Sequence, residues 1–401
     1  MPHYGGHVSQ RLRRSCGGLL VSVSAVSTLE ISQSFDWMGC GVRACGKKLA
    51  SILHAAPDAS YTAAEFAAVL DNWSISTYRL KAAMGGSTRG TFLIETGNGD
   101  FVLRRSDSDE REWVSFQLRV LRHLRKSRFP YDSPTVVHTT TGAPHVFDGH
   151  DYWYLYDFIE GMSALAPRNR RRARDLGTLV GSFARALDDF DVSLVVELYW
   201  LQLFDFDDVA KRFIDARRRL ADVGLASDLL EALDVHGDAV LQLHAATKAT
   251  DIASVSVLPR TPVYYDWHSK NIITRWGATV GLIDYDSLSV APRIVDFQNA
   301  LSYVLIARSS LDPDLAHAFA RAYRRIVPLA EEELALIYPV MVDRATWLLA
   351  DLLESLAIKH SRGLAERARR LIGLVVWLKD NRELLTSLIA MPIRNDRGLM
   401  S

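Results

Sequence analysis

The sequence predicts an α+β chain in which a small antiparallel sheet precedes a larger, mainly helical region. Three observations carry that expectation. Within residues 80–105 short apolar runs alternate with Gly-rich turns, from residue 168 onward apolar residues recur at helical spacing, and within 264–284 a polar loop and a short hairpin interrupt the helices.

A first helix is expected from Thr62, where Thr62 and Glu65 form a capping-box pair ahead of Phe66, Val69, Leu70 and Trp73. Strands are expected over 80–83, 91–96 and 100–105. The first turn holds Gly85, Gly86, Ser87, Thr88 and Gly90, and the second is Asn98-Gly99, a strong hairpin signal. Glycines in the first turn would let backbone N–H groups approach a phosphate with no Cβ in the way. The third strand ends in Arg104 and Arg105, whose side chains must point to opposite faces. A helix over 109–127 follows, with Trp113, Phe116, Val120, Leu121 and Leu124 on its apolar side. Residues 151–161 read as a long aromatic strand ending at a Gly break. The acidic and His residues nearby, His145, Asp148, His150 and Asp151, fit a polar hairpin turn better than a metal site.

From Arg168 a basic run opens a helix with Leu176, Leu179, Val180, Phe183 and Leu187 on one side. Its arginines suit a solvated face. A later helix is expected over 338–360, where Asp343, Trp347, Asp351 and Glu354 fall on one face and could border a substrate cleft.

Composition narrows the classes. The chain has 401 residues, 48% of them apolar, enough to bury a large core in two parts. Its 47 basic residues balance its 47 acidic ones, so nothing favours general nucleic-acid binding. Cys16, Cys40 and Cys45 show neither metal spacing nor a disulfide framework. The apolar run over 371–378 is too short to span a bilayer. Residues 1–57, rich in Ser and Gly, are expected to be a disordered extension. Their apolar stretch after Arg11, Arg13 and Arg14 is broken by serines and makes a poor export signal, so a cytoplasmic location is expected.

The most informative segment is 264–296. Asp266 and Asn271 lie five apart in a polar loop, and two apolar runs around Trp276-Gly277 bring Asp284 back beside that loop. This spacing suits phosphoryl transfer, which asks a protein to position a nucleophile, clamp Mg²⁺ on phosphates and offset developing charge. Asp266 would accept the hydroxyl proton, while Asn271 and Asp284 would offer hard oxygen ligands to Mg²⁺. The bland alternative is a hairpin whose Asp and Asn satisfy turn backbone groups.

Asp266-Trp267-His268-Ser269-Lys270-Asn271 matches a D-x-H-x-x-N loop, and Ile283-Asp284-Tyr285-Asp286 matches I-D-[WFY]-[DE]. In these motifs the chain resembles the aminoglycoside phosphotransferase and choline kinase superfamily over residues 61–380. The resemblance implies a protein-kinase-like two-lobed fold, with an N-lobe over 58–160, a helical C-lobe over 161–390 and a tail over 391–401. It implies ATP and Mg²⁺ as cofactors and a small-molecule hydroxyl as acceptor, on an amino sugar, aminoglycoside or amino alcohol. By the same resemblance Asp266 is the catalytic base, Asn271 and Asp284 are metal ligands, and Arg104 holds the phosphates under the turn carrying Gly86, Ser87 and Thr88. Residues 158–161, with Glu160, would meet the adenine. Asp286 and His268 would support metal or substrate, and Asp343, Trp347 and Asp351 the substrate. Asp296 sits where relatives have a structural aspartate.

Two positions depart from the family pattern. Tyr264 stands where relatives usually have His, and Gln117 where many have Glu to pair with the phosphate anchor. A nucleotide-binding pseudokinase is therefore the competing expectation. The helix end at Phe190-Asp191, where homoserine kinases usually show Leu-His, and the Arg344, Leu349, Asp351, Leu352 pattern with Arg367, Arg369 and Arg370 loosely resemble the N-acetylhexosamine 1-kinase branch; as a whole the chain is loosely similar to that branch and to homoserine kinases of the second type.

Overall fold

Alternating apolar residues on either side of the Asn98-Gly99 turn build the heart of a six-stranded antiparallel sheet. The computed structural model describes residues 63–81, 90–107, 111–193, 206–223, 227–307 and 311–391. The expected extension over 1–57, the Thr62 cap, the Gly86, Ser87 and Thr88 turn and the tail beyond residue 391 lie outside them.

The sheet contains β1 (Arg79–Lys81), β2 (Thr91–Thr96), β3 (Gly99–Asp107), β4 (Val136–Val137), β5 (Val146–Phe147) and β6 (Asp151–Asp157). Its order is β1-β2-β3-β6-β4, with β5 also paired to β6. Leu103 pairs with Leu155 and Arg104 with Tyr154, so the period of two sorts the side chains onto two faces. On one face Ile94, Leu103, Trp153 and Leu155 pack with Phe66, Val69 and Leu70 of α1 (Ala63–Leu70) and with Trp73. On the other, Tyr152, Tyr154 and Tyr156 join the larger core with Val114, Phe116, Leu121 and Leu124 of α2 (Arg111–Lys126). Arg104 shares this second face.

Helices dominate the rest of the chain: α3 (Arg170–Ala186), α4 (Phe206–Val223), α5 (Ser227–Ser256), α6 (Ile294–Leu305), α7 (Pro313–Arg324), α8 (Glu331–Lys359), α9 (Arg362–Asp380) and α10 (Arg382–Ala390). The helix opened by the basic run forms because Asn169 caps it, its side chain accepting from the Arg172 N–H at 3.0 Å. The expected apolar side, Leu176, Leu179, Val180 and Phe183, is buried. A Cβ at Gly177 would lie 2.3 Å from the Phe319 carbonyl, so glycine lets α3 and α7 meet closely. Helix α8 packs on α4, α5, α6 and α9. It begins seven residues before the expected 338, with Pro339 inside it and Leu336 and Ile337 buried.

The remaining strands are short. β7 (Met162–Ser163), β9 (Ile272–Arg275) and β10 (Ala278–Leu282) make one sheet, and β8 (Arg260–Val263) pairs with β11 (Ser289–Pro292). The strand expected over 151–161 stops at Asp157, because the chain turns at Gly161 to lie along β9. Gly161 has φ +148°, and a Cβ there would stand 2.4 Å from Ile273 Cγ2 and 2.8 Å from the Thr274 carbonyl. A second tie crosses from the loop after α2: the Asp132 N–H donates to the Val280 carbonyl at 2.7 Å, and the Asp132 carbonyl accepts from Leu282 N–H at 2.9 Å. These two ties fix the sheet against the hairpin that ends at Asp284.

Gly161→Ala should therefore destabilise the protein by about 1–3 kcal/mol, from positive-φ strain and the clash with β9. Gly97→Ala, where a Cβ meets nothing within 4 Å, should stay within about 0.5 kcal/mol of wild type in the same urea titration.

Candidate active site

The loop after β8 is held by one buried carboxylate. Asp296, in the first turn of α6, accepts from the Tyr264 N–H at 2.8 Å and the Tyr265 N–H at 2.7 Å. Burial pushes the Asp296 carboxyl up to about 7, against the pull of those two N–H bonds. Asn299, one turn on, donates to the Tyr265 carbonyl at 3.3 Å. Tyr265 has φ +73°, a conformation bulky residues rarely adopt, and it persists because both sides of its backbone are bonded.

The next residue is Asp266, 6% exposed. Its Oδ2 accepts from Asn271 Nδ2 at 3.0 Å and lies 3.3 Å from His268 Nε2. Its Oδ1 is buried with no hydrogen-bond partner. One oxygen is thus fixed and the other is left to receive a proton. Because the Asn271 amide nitrogen is occupied by Asp266, its carbonyl oxygen is the end left for a ligand.

Asp284 follows β10 with φ +61°, a second strained non-glycine residue. Its position is fixed through Ile283, whose N–H donates to the backbone carbonyl of Asn271 at 2.9 Å, leaving the Asn271 side-chain oxygen free of that bond, and whose carbonyl accepts from the Tyr264 hydroxyl at 2.5 Å. The residue that departs from the pattern of the resemblance therefore ties the loop after β8 to the residue before Asp284. Burial keeps the Tyr264 phenol well above its ordinary pKa, so it stays a donor. Enclosure, and then the neighbouring charge of Asp286, raise Asp284 above the usual carboxylate range, with Arg104 opposing.

Arg104 reaches this point from β3. It forms an ion pair with Asp286 and lies 3.7 Å from Asp284. Burial works against its charge, but Asp286 and Asp284 more than offset it and hold the guanidinium pKa above its ordinary value. Gln117, the position examined as its helix partner, is buried on α2 with its Oε1 unbonded, and no hydrogen bond joins it to Arg104 among the described residues. Asp286 supplies the carboxylate instead. Arg105 points to the other face, 3.8 Å from Asp151.

The donor set fits a divalent cation shared with phosphates. Asp284 Oδ1 and Asp286 Oδ1 are buried oxygens without hydrogen-bond donors, the Asn271 side-chain oxygen is left for a ligand, and Mg²⁺ takes one or two carboxylates with phosphate oxygens rather than a closed protein cage. Among the described residues no three His, Cys, Asp or Glu side chains form a metal cage.

The phosphotransferase enzyme family matches residues 79–335, well over half the chain. The chain belongs to this family. No curated protein matches its sequence. Its fold is similar to that of an aminoglycoside phosphotransferase from Alicyclobacillus acidocaldarius, at TM-score 0.60 and 16% identity, over 80% of this chain and 94% of that one. It is also similar to a microcompartment-associated aminopropanol kinase, at 0.58 and 17% over 81% and 99%. A spectinomycin phosphotransferase in complex with ADP and spectinomycin gives 0.57 and 12% over 80% and 99%. At these identities the likeness is one of fold, and it bears out the two-lobed protein-kinase-like class.

Other expected residues of this family member fall as follows. The Glu160 carbonyl accepts from Arg275 at 2.9 Å and the Phe158 N–H donates to the Asp100 carbonyl at 3.1 Å, so the backbone over 158–161, expected as a hinge that meets the adenine, is braced at two points. Asp343 accepts from the Thr247 hydroxyl at 2.9 Å and lies 3.3 Å from His244. Asp351 lies 3.6 Å and Glu354 2.6 Å from Arg212. The polar stripe of α8 is thus engaged with α5 and α4. Asp148 accepts from the backbone N–H groups of His150 and Asp151 and from the Trp153 indole, as a turn aspartate does. A groove bordered by Arg122, Arg125, Phe158, Glu160 and Arg275 lies apart from Asp266 and Asp284. The sequence missed Asp286 as the partner of Arg104; the two-residue step from Asp284 was its only signal.

Tyr264→Phe leaves the Ile283 carbonyl buried and short of a donor, and should cost about 1–3 kcal/mol in chemical denaturation. Asp296→Asn turns an amide N–H toward a backbone N–H and should cost at least as much.

Proposed function

We propose that the chain transfers the γ-phosphoryl group of ATP to a hydroxyl of a small molecule. The observation that carries this is Asp266, one oxygen fixed by Asn271 and His268 and the other free of hydrogen bonds, beside the oxygens of Asn271 and Asp284. Asp266 Oδ1 takes the proton of the attacking hydroxyl as the phosphorus–oxygen bond forms. Asn271 and Asp284 would hold the metal through their side-chain oxygens. Mg²⁺, when bound, supplies positive charge across the phosphates. Arg104 would exchange its looser partner Asp284 for the α- and β-phosphates, while Asp286 stays paired with it and positions it.

Family membership and the ADP complex of the spectinomycin relative support a nucleotide donor. The division into an N-lobe over 58–160 and a C-lobe over 161–390 is proposed from the position of the hinge. Asp343, Trp347 and Asp351 are proposed to shape the substrate side through the helix that carries them. A pseudokinase is the competing reading, but the Tyr264 bond to Ile283 and the Asp286 partner for Arg104 answer the two departures that motivate it.

The test measures ATP consumption across a panel of sugars, amino sugars, aminoglycosides, amino alcohols, and hydroxyl compounds bearing a carboxylate or phosphate. A productive acceptor should give phosphorylated product, and Asp266→Ala should lower the rate about 100-fold or more. MgATP binding without product above that variant on any acceptor would establish the pseudokinase instead.

A further inference from the structure

Arg344 lies on α8, 5% exposed. Its guanidinium sits 4.5 Å from the centre of the Tyr265 ring and 4.5 Å from that of Trp347. Its Nε and Nη1 are buried and meet no acceptor, and no hydrogen bond or ion pair reaches Arg344 among the described residues. The hydroxyl of Tyr265 is buried and unbonded as well.

This is an unusual way to keep a permanent charge. Aromatic faces attract a guanidinium but offer no acceptor to its N–H groups. The acids nearby have other partners: Asp343 has Thr247 and His244, and Asp351 and Glu354 have Arg212. Location adds the functional point. Tyr265 immediately precedes Asp266, so Arg344 is one aromatic ring away from the proposed base.

We infer that Arg344, with the Tyr265 hydroxyl, forms a subsite that binds an anionic oxygen group of the acceptor, a carboxylate or a phosphate. The inference rests on the phosphotransfer reading and deepens it by naming the substrate class: a hydroxyl compound bearing an acid group rather than a polycation. The planar fork of Arg matches two oxygens at once. Two rings hold that fork in place before the substrate arrives, which lowers the entropy lost on binding. The same fixed cation repels an acceptor that presents ammonium groups there.

The test uses hydroxylated acceptors in matched neutral, ammonium-bearing, carboxylate-bearing and phosphate-bearing forms, with the full-length protein and MgATP. Turnover should favour the acid-bearing forms, and the carboxylate and phosphate arms separate the two sources of charge. Arg344→Met should raise the acceptor KM about tenfold or more while the KM for ATP stays within about twofold. An unchanged ATP KM reports an intact fold. Should the Met variant fail to fold, Arg344→Lys, which keeps the charge but loses the fork, should still raise the acceptor KM. Turnover confined to neutral or ammonium-bearing acceptors, or an Arg344 variant with unchanged acceptor KM, would overturn this inference and leave phosphotransfer standing. No turnover with any acceptor would overturn both.

Discussion

The site depends on a carboxylate that takes no part in the chemistry. Asp296 accepts from two successive backbone N–H groups, and those bonds, with Asn299 on the Tyr265 carbonyl, hold Tyr265 at φ +73°. That strained residue decides where Asp266 points on one side and puts its ring against Arg344 on the other. Packing makes the clamp rigid, since Asp296 is 2% exposed and rides on α6, itself buried against α8. Two strained non-glycine residues, Tyr265 and Asp284, frame the reacting point. Strain of this kind persists where the surroundings over-determine it.

Charge is arranged around the same point. Two carboxylates, Asp284 and Asp286, share one guanidinium from the sheet, and that ion pair joins residues 182 apart in the chain. It links the sheet to the helical part through electrostatics rather than apolar contact. A nucleotide with its metal would replace the looser partner: cation for guanidinium at Asp284, phosphate for that carboxylate at Arg104, with Asp286 kept. The exchange conserves charge pairing, so ligand entry need not leave a buried ion exposed to an apolar wall.

What was legible in the sequence was local. Asp266, Asn271 and Asp284 sit within one short loop and hairpin, and a spacing motif encodes the backbone path between them. Asn98-Gly99 fixed β2 and β3 through turn chemistry, and the apolar side of α3 followed from its period. Other features are set by tertiary partners that no local pattern announces. Gln117 stands at a helix position where a carboxylate was looked for, yet Arg104 finds Asp286 on a distant loop. The Asp343, Asp351 and Glu354 stripe reads as free from its spacing, but α4 and α5 bring Arg212, Thr247 and His244 onto it. The helix expected from 338 begins at Glu331 instead, because the buried neighbours Leu336 and Ile337 carry α8 through Pro339, a residue that removes a backbone donor. The strand expected over 151–161, β6, ends at Asp157 because Gly161 turns the chain onto β9, which is far away in sequence.

The central claim is that the oxygens of Asn271 and Asp284 bind nucleotide together with a divalent cation, in place of Arg104. Titration calorimetry of ATP with Mg²⁺ and with EDTA tests it most directly, on wild type and on Asp284→Ala. Wild type should bind ATP about tenfold or more tightly with Mg²⁺, and Asp284→Ala should lose most of that difference. Equal affinity with Mg²⁺ and EDTA, or a Mg²⁺ effect that survives Asp284→Ala undiminished, would contradict the account.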